Sequence, residues 1–396
     1  MLDWHLARNF RFAGVHCGVR PDRSRLDLAL LVSDSPAATA GVFTQNRVRA
    51  APVRVCQERL PRPDGRGVVI CSGNANACTG QRGLDDARRM SAVAAEVLDC
   101  AAEQVLVCST GVIGRHLPMP AVESGIRSAV CHLSDSPQGL NDAAHAILTT
   151  DTRSKVATRA VSIQGIEVRL TGFAKGAAML GPNMATLLAF VCSDAAVAAE
   201  DLHTIARRVA AQSFNCARVE GHTSTNDTLL LLANGAGQRL EGEGLARFSA
   251  AVTEVCVELA RAMAADGEGA HHFVTIEVEG LRDDHEATLV ARAVADSPLV
   301  KTAIYGADPN WGRIVSAAGY AGVVFEEEHL SLWLGDLLLY HAGAPQPFNP
   351  DTASAYLKNN RDVHLRLRFT LGAGRCTVWT CDLGYEYVRI NAEYTT

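Results

Sequence analysis

The chain has 396 residues, of which 48% are hydrophobic and 20% charged, and this composition is typical of a globular protein with two or three domains. Its formal net charge of −6 argues against nucleic acid or an anionic membrane as partner, because both require clustered positive charge. We therefore expect a small polar ligand.

The first half of the sequence alternates between short apolar segments and amphipathic ones. Strands are predicted at residues 26–32, 67–71 and 104–108, a helix at 84–98, and a β-hairpin at 158–162 and 166–171 around Gln164-Gly165. Loops rich in glycine or asparagine follow several of these strand ends.

The second half continues the same alternation, with one strand expected directly after Thr186. Helices are predicted at residues 199–212, 246–264 and 284–294, and strands at 228–232, 272–278, 330–334, 363–371 and 376–381. The proline-rich segment 342–351 is interpreted as a surface loop. The pattern predicts an α/β protein with mixed sheets, and the composition marks no domain boundary.

The cysteines and the N-terminal sequence indicate where the protein functions. The twelve cysteines are spread from Cys17 to Cys381 without a C-x-x-C pair, and many lie in apolar runs. The first residues lack the apolar stretch of a signal peptide, and no apolar run reaches the roughly 18 residues of a membrane span. We expect a cytoplasmic protein with reduced thiols.

Thr186 is the first candidate catalytic residue, because it lies where the turn Gly181-Pro182-Asn183 meets an apolar strand. A threonine can act without a histidine if its own free α-amine is the base, which requires it to begin a chain. The Ala185-Thr186 bond would then have to be cut, and the threonine hydroxyl can do this by attacking the Ala185 carbonyl. Considered alone, a threonine at this place is more often structural.

Three further segments combine polar side chains with strand or helix ends. In CSTGVIG, Thr110 and Gly111 could offer a hydroxyl and a backbone N–H to an oxyanion, or merely end a strand. In ILTTDTRSK, the threonine hydroxyls could bind substrate or cap a helix. In ADGEGAHHF, Glu268 between two glycines could bind an ammonium group or lie in a helix-ending loop.

Other polar segments favour structural roles. The loops SGNANACTG and EGHTSTNDT are rich in side chains that bond their own backbone, and GADPNWGR is also interpreted as structural. His271 and His272 are adjacent, so one face cannot present both to a metal, and we expect no zinc site. The sequence contains no phosphate-binding loop, no G-x-S-x-G elbow and no strand-linked G-x-G-x-x-G.

Read together and in order, these segments resemble the ornithine acetyltransferase family, also called the arginine biosynthesis bifunctional protein. The resemblance extends from about Phe10 to Thr396. The motifs that carry it are NFRFAGVHCGV, SGNANACTG, CSTGVIG, TTDT, AKGAAMLGPNMATLL, STNDT, DGEG, SPLVKTA, ADPNWGR and INAEYTT.

The resemblance implies a self-cleaving enzyme with an N-terminal nucleophile. It implies an α chain of residues 1–185 and a β chain of residues 186–396, which remain together and pair into an α2β2 heterotetramer. It implies ping-pong transfer of acetyl from N-acetylornithine to glutamate, releasing ornithine and N-acetylglutamate. It also implies a layered mixed-sheet α/β sandwich similar to the self-cleaving aminopeptidases, with a second α/β portion. No cofactor is expected, and acetyl-CoA is a potential second donor.

The resemblance also assigns roles to residues of this chain. Thr186 is the expected nucleophile, and Thr110 and Gly111 are the expected oxyanion hole. The expected substrate-binding residues are Thr149 or Thr150, Lys175, Thr186, Glu268, Asn391 and Thr396.

Four residues in three segments depart from the family pattern and leave the exact function open. Ala178 stands where glycine is usual, His222 where aspartate is usual, and His271-His272 where a Thr-Lys pair is common. These changes leave room for a specialised acetyltransferase outside primary arginine synthesis. A related self-cleaving amidohydrolase or aminopeptidase, which sends its acyl-enzyme to water, is a second candidate, and a non-enzymatic scaffold is a third.

Overall fold

A computed structural model describes residues 4–178 and 187–393 of the chain. Within them the backbone forms two compact units. The first unit extends through Asn215 and resumes from His222 to Met263, and the second comprises Cys216–Gly221 and the chain from Ala264 onward. The predicted α/β class with mixed sheets is confirmed.

The first unit contains a mixed sheet of eight described strands. They are β1 (Phe10–Val15), β2 (Leu28–Phe43), β3 (Arg62–Asn74), β4 (Val105–Val112), β5 (Lys155–Ile163), β6 (Ile166–Lys175), β7 (Leu188–Ser193) and β8 (Thr228–Ala233). The order along the sheet is β4-β3-β2-β8-β7-β6-β5, with β1 paired to β2. Pairing is parallel between β3 and β4 and between β7 and β8, and antiparallel elsewhere.

Helices pack against this sheet through small and branched apolar side chains. They are α1 (Ala51–Arg59), α2 (Gly80–Leu98), α3 (Met119–Val130), α4 (Pro137–Ala146), α5 (Ala199–Gln212) and α6 (Gly242–Ala264). Phe173 contacts Phe190 with ring centroids 5.0 Å apart and meets Phe12 edge to face. These rings join β1, β6 and β7 in one apolar core.

The second unit is built on a separate six-stranded sheet. Its strands are β9 (Phe273–Leu281), β10 (Ser331–Leu334), β11 (Leu337–His341), β12 (Ala344–Pro345), β13 (Asp362–Arg368) and β14 (Gly374–Cys381), in the order β12-β11-β10-β13-β9-β14. Its helices are α7 (Asp284–Asp296), α8 (Pro298–Tyr305), α9 (Trp311–Gly319), α10 (Pro350–Asn359) and α11 (Tyr385–Glu393). Alternate buried residues of β13, such as Val363 and Leu365, face its core.

No helix in the described ranges is long and apolar enough to cross a membrane. All twelve cysteines lie in those ranges, and no disulfide bond joins any two of them.

Candidate active site

The end of β4 carries the two residues predicted to form an oxyanion hole. Thr110 is 3% exposed and pairs with Ser72 of β3, and Gly111 follows opposite Gly73. Gly111 has a φ of +130°, and a Cβ on it would lie 2.3 Å from the Gly73 carbonyl carbon. Only glycine fits where these two backbones cross so closely.

Lys175, the last residue of β6, lies beside Thr110. Its ammonium group is buried and donates a hydrogen bond to Thr110 Oγ at 3.3 Å. The two residues are 65 positions apart in the chain. The structure therefore brings together Thr110, Gly111 and Lys175, which the sequence had singled out in two separate motifs.

Asp151 supplies the negative charge that balances this buried lysine. One carboxylate oxygen accepts hydrogen bonds from Lys155 Nζ at 2.6 Å and from the Gly176 backbone N–H at 2.7 Å. Burial alone would raise the pKa of Asp151, but the charges of Lys175 and Lys155 and these hydrogen bonds hold it well below its usual range. Burial lowers the pKa of Lys175, and Asp151 opposes that shift.

The predicted substrate contacts Thr149 and Thr150 lie in the turn that Asp151 organises. The backbone N–H of Thr149 donates to the second oxygen of Asp151 at 3.1 Å, and Arg25 donates to the Thr149 carbonyl at 2.7 Å. Both threonines are half-buried. Sequence reasoning missed Asp151, although an acidic residue four positions before Lys155 was a usable signal.

The predicted nucleophile Thr186 and the preceding Ala185 lie outside the described residues. Leu187, the next residue, is described, and both its backbone N–H and its carbonyl form hydrogen bonds. Its backbone N–H donates to Asp227 Oδ1 at 2.9 Å, and its carbonyl accepts from the Thr228 N–H at 3.0 Å. Parallel pairing of β7 with β8 begins directly afterwards.

The loop SGNANACTG is a shaped loop, as the sequence suggested. Asn74 donates to the carbonyls of Arg115 and His116, each at 3.2 Å, and accepts from the Asn76 N–H at 2.8 Å. Asn76 in turn donates to the Gly83 carbonyl in α2 at 2.9 Å. The loop thereby fixes the backbone on which Gly111 packs.

In the second unit, the predicted residues Glu268 and Asn391 meet. Asn391 Nδ2 donates to Glu268 Oε2 at 2.8 Å, and Glu268 is 8% exposed. The glycines that flank Glu268 allow close packing against neighbouring elements. A Cβ on Gly269 would lie 2.7 Å from the Tyr387 nitrogen in α11, and a Cβ on Gly267 would lie 2.6 Å from the Cys381 sulfur. The predicted Thr396 lies outside the described residues.

The histidines that depart from the family pattern do not form a metal site among the described residues. His272 contacts Asp382 Oδ2 through Nδ1 at 2.7 Å and the Leu357 carbonyl through Nε2 at 2.9 Å. His271 stacks on Tyr305 with ring centroids 5.1 Å apart. His222 is exposed.

Known proteins are similar to this chain over almost its whole length. A sequence model of the ArgJ family matches residues 11–396. The arginine biosynthesis bifunctional protein ArgJ of Geobacter sulfurreducens is 44% identical over 393 residues, which cover 98% of this chain and 99% of that protein. Arginine biosynthesis bifunctional protein ArgJ 1 of Nostoc sp. is 42% identical over 416 residues and covers 100% of both.

Two solved structures are also similar. The arginine biosynthesis bifunctional protein of Bacillus halodurans is 38% identical, with 51% of this chain and 96% of that chain covered at a TM-score of 0.48. The ornithine acetyltransferase of Mycobacterium tuberculosis in complex with ornithine is 36% identical, with 48% of this chain and 98% of that chain covered at a TM-score of 0.40.

Proposed function

This chain belongs to the ArgJ family of arginine-biosynthesis acyltransferases, as its motifs predicted, and we propose that it transfers acetyl from N-acetylornithine to glutamate through an acetyl-threonine intermediate. The contact between Lys175 and Thr110 carries this proposal. Because Thr110 Oγ accepts from the ammonium group, its own hydroxyl proton is free to be donated to an oxyanion.

The first step is cleavage of the chain by Thr186. Its hydroxyl oxygen attacks the Ala185 carbonyl, the Ala185-Thr186 C–N bond breaks, and the departing amine takes up the hydroxyl proton. Water then hydrolyses the resulting ester, which frees the Ala185 carboxylate and restores the Thr186 hydroxyl. The products are chains of residues 1–185 and 186–396, and the second begins with an α-amine.

The second step is acetyl transfer, in which the freed amine acts as the base. It takes the Thr186 hydroxyl proton as the oxygen attacks the acetyl carbonyl, and Thr110 and Gly111 stabilise the oxyanion. The proton passes to the leaving nitrogen and ornithine departs. The glutamate amine then attacks the acetyl ester through a second oxyanion at the same donors. The ester C–O bond breaks, the α-amine passes a proton from the glutamate nitrogen to the Thr186 oxygen, and N-acetylglutamate departs. One site therefore serves both half-reactions.

The remaining side chains suit amino-acid substrates. We assign the buried ammonium of Lys175 to a substrate carboxylate, with Thr149 or Thr150 as a neighbouring contact. In the second unit, the pair of Glu268 and Asn391 offers a carboxylate and an amide to an ammonium group. Acetyl-CoA as a second donor, an α2β2 assembly and a cytoplasmic location belong to the same proposal, and twelve cysteines without a disulfide bond support that location.

Intact-mass spectrometry of the purified protein tests the proposal, with Thr186→Ala as the control. We expect two fragments divided at Ala185-Thr186, with an acetyl mass on the Thr186 fragment alone after brief incubation with N-acetylornithine. The control should remain a single chain of about 42.2 kDa. With glutamate present, N-acetylglutamate should form; release of acetate in its place would identify a hydrolase and overturn the transferase assignment.

A further inference from the structure

Two cysteines of the second unit, Cys216 and Cys376, form a thiol pair that the reaction steps above do not use. Cys376 lies in β14, and Cys216 ends a short 3₁₀-helix, Phe214–Cys216, where the chain enters the second unit. The two thiols share a hydrogen bond. Because the residues are distant in sequence, the fold rather than local spacing creates this pair.

Backbone pairing explains why the two thiols meet. A parallel bridge joins Ala217 to Trp379, and the Arg218 N–H donates to the Trp379 carbonyl at 2.8 Å. Side chains of extended residues alternate between the two faces of a sheet. Cys216 and Cys376 stand one and three positions before the bridged residues, and because both offsets are odd, the two side chains lie on the same face.

Helix α7 adds a hydroxyl group and a cation to the surroundings of this pair. Thr288 and Arg292 are about one helical turn apart, so they lie on one face of α7. The hydrogen bond from Cys216 lowers the pKa of Cys376 well below its usual range. A hydrogen bond with Thr288 and the positive charge of Arg292 act in the same direction, whereas burial and Asp284 oppose them in part. Cys376 is therefore the thiolate of the pair.

Cys216 retains its proton. The hydrogen bond that it donates to Cys376 and its burial both raise the pKa of Cys216 above its usual range, and the charges of Arg292 and Arg218 offset this only in part. Both cysteine side chains are half-buried, so a small solute can reach them. A thiolate beside a thiol, partly open to solvent, is the arrangement that oxidation to a disulfide requires.

A second thiol pair, Cys56 and Cys108, lies in the core of the first unit. These two side chains also share a hydrogen bond, but they are only 0% and 2% exposed. An oxidant dissolved in water cannot reach them while the protein is folded. Solvent access therefore distinguishes the pair in the second unit, and the buried pair is an internal control.

We propose that Cys216 and Cys376 are a site of reversible oxidative modification, at which hydrogen peroxide converts the two thiols into an intrachain disulfide. Both residues follow Thr186 in the sequence, so they stay on one polypeptide whether or not the chain is cut, and the modification does not depend on acetyl transfer. The disulfide would join the segment Cys216–Gly221 covalently to β14 of the same unit. A bond that forms only on exposure to peroxide is compatible with otherwise reduced thiols.

The oxidation consists of two steps. The Cys376 thiolate attacks one oxygen of hydrogen peroxide, the O–O bond breaks, and the departing hydroxide combines with the proton that Cys376 had released, which gives a sulfenic acid and water. The Cys216 sulfur then attacks the sulfenic sulfur, the S–O bond breaks, and the departing hydroxide takes the Cys216 proton and leaves as a second water. Two thiols are thereby oxidised and one peroxide is reduced. Exchange with a thiol reductant such as dithiothreitol reverses the disulfide.

Peptide mapping of the full-length wild-type protein tests the site. Reduced protein is treated with about one equivalent of hydrogen peroxide, remaining thiols are alkylated with N-ethylmaleimide, and a digest is analysed by mass spectrometry without reduction. We expect the peptides of Cys216 and Cys376 to be joined, with the loss of two hydrogen atoms, and to separate after dithiothreitol. Cys56 and Cys108 in the same sample should remain unoxidised.

Two single variants test which sulfur attacks the peroxide. In Cys216→Ser the serine hydroxyl can still donate a hydrogen bond to Cys376, but no second thiol can attack the sulfenic acid. That acid should accumulate, and its labelling by dimedone should rise about tenfold over wild type. In the matched variant Cys376→Ser, labelling of Cys216 should stay at background. Equal labelling of the two folded variants would overturn the assignment of Cys376 as the attacking thiolate.

The mapping of wild-type protein decides the inference even if a serine variant does not fold. It is overturned if both thiols are still fully alkylated after peroxide treatment of the folded protein. It is also overturned if Cys56 and Cys108 become joined to the same extent, or if the exposed Cys78 or Cys131 forms the disulfide in place of the proposed pair. The acetyl-transfer assay is a separate measurement, so none of these results alters the proposed function.

Discussion

At the scale of single residues, the crossing of two backbones at Gly111 gives a sharp prediction. A Gly111→Ala side chain would lie 2.3 Å from the Gly73 carbonyl carbon and 2.6 Å from the Asn74 nitrogen, at a φ of +130°. The backbone must move to relieve this clash, so we expect a loss of about 3 kcal/mol in the free energy of unfolding, together with loss of acetyl transfer. Urea unfolding and an activity assay measure the two effects.

Gly114→Ala is the control for that substitution. Gly114 also has a positive φ, +83°, but a Cβ there has no atom within 4 Å. Only backbone strain remains, and we expect a loss of about 1 kcal/mol in the free energy of unfolding. Equal losses of unfolding free energy in Gly111→Ala and Gly114→Ala would contradict the argument from close backbone approach at Gly111.

The residues of the candidate site differ in how far the sequence could predict them. Thr110 stood in a motif with a chemical rationale of its own, whereas Lys175 was assigned by the family resemblance, and the two lie in contact. Asp151 and Asp227 were missed as individual residues. Each acts by accepting hydrogen bonds from backbone N–H groups distant in sequence, and nothing in a local pattern shows such a pairing.

At the scale of helices and strands, long periodic segments were predicted well. The helix predicted at residues 199–212 is α5, and the predicted hairpin is β5 and β6 with its turn at Gln164-Gly165. Shorter elements such as α8 and α11 were missed. Eight or nine residues give too few turns for a clear apolar period, and packing against neighbours stabilises such helices more than intrinsic propensity does.

His272 links three elements of the second unit and makes their stability depend on pH. The residue precedes β9 and contacts both Asp382, directly after β14, and the Leu357 carbonyl in α10. The hydrogen bond with Asp382 raises the pKa of His272 above its usual 6.5, although burial opposes the shift. The stabilisation is therefore fully present below pH 6.5 and is lost as the pH rises through the raised value.

A comparison of wild type with His272→Gln measures this effect. The difference in unfolding free energy should be larger at pH 5.5 than at pH 8.5 by about 0.5 kcal/mol, a modest value because solvent screens this partly exposed group. His364→Gln is the control for loss of a histidine side chain, since His364 contacts Glu277 at 3.1 Å with both side chains more than 40% exposed. If the difference in unfolding free energy between wild type and His272→Gln increased with pH, the proposed stabilisation by protonated His272 would be contradicted.

At the scale of the whole molecule, the proposed cleavage would divide one sheet between two chains. Strands β1 to β6 belong to residues 1–185, whereas β7 and β8 follow Thr186. In the sheet, β8 pairs with β2 and β7 pairs with β6, so the strands of the second chain lie between those of the first. The cut would not coincide with the boundary between the two compact units, since it falls within the first.

This interleaving predicts that the two chains separate only when the first unit unfolds. Separation would break the backbone hydrogen bonds of β7 with β6 and of β8 with β2, and it would expose core residues such as Phe173 and Phe190. The free-energy cost of these two changes is far larger than that of breaking one loop. Cut protein should therefore elute in native size-exclusion chromatography with both chains in equal amounts. The chains should part in denaturant at the urea concentration that unfolds uncut Thr186→Ala. Free fragments in native buffer would contradict the prediction, because they would require β7 and β8 to leave the middle of an intact sheet.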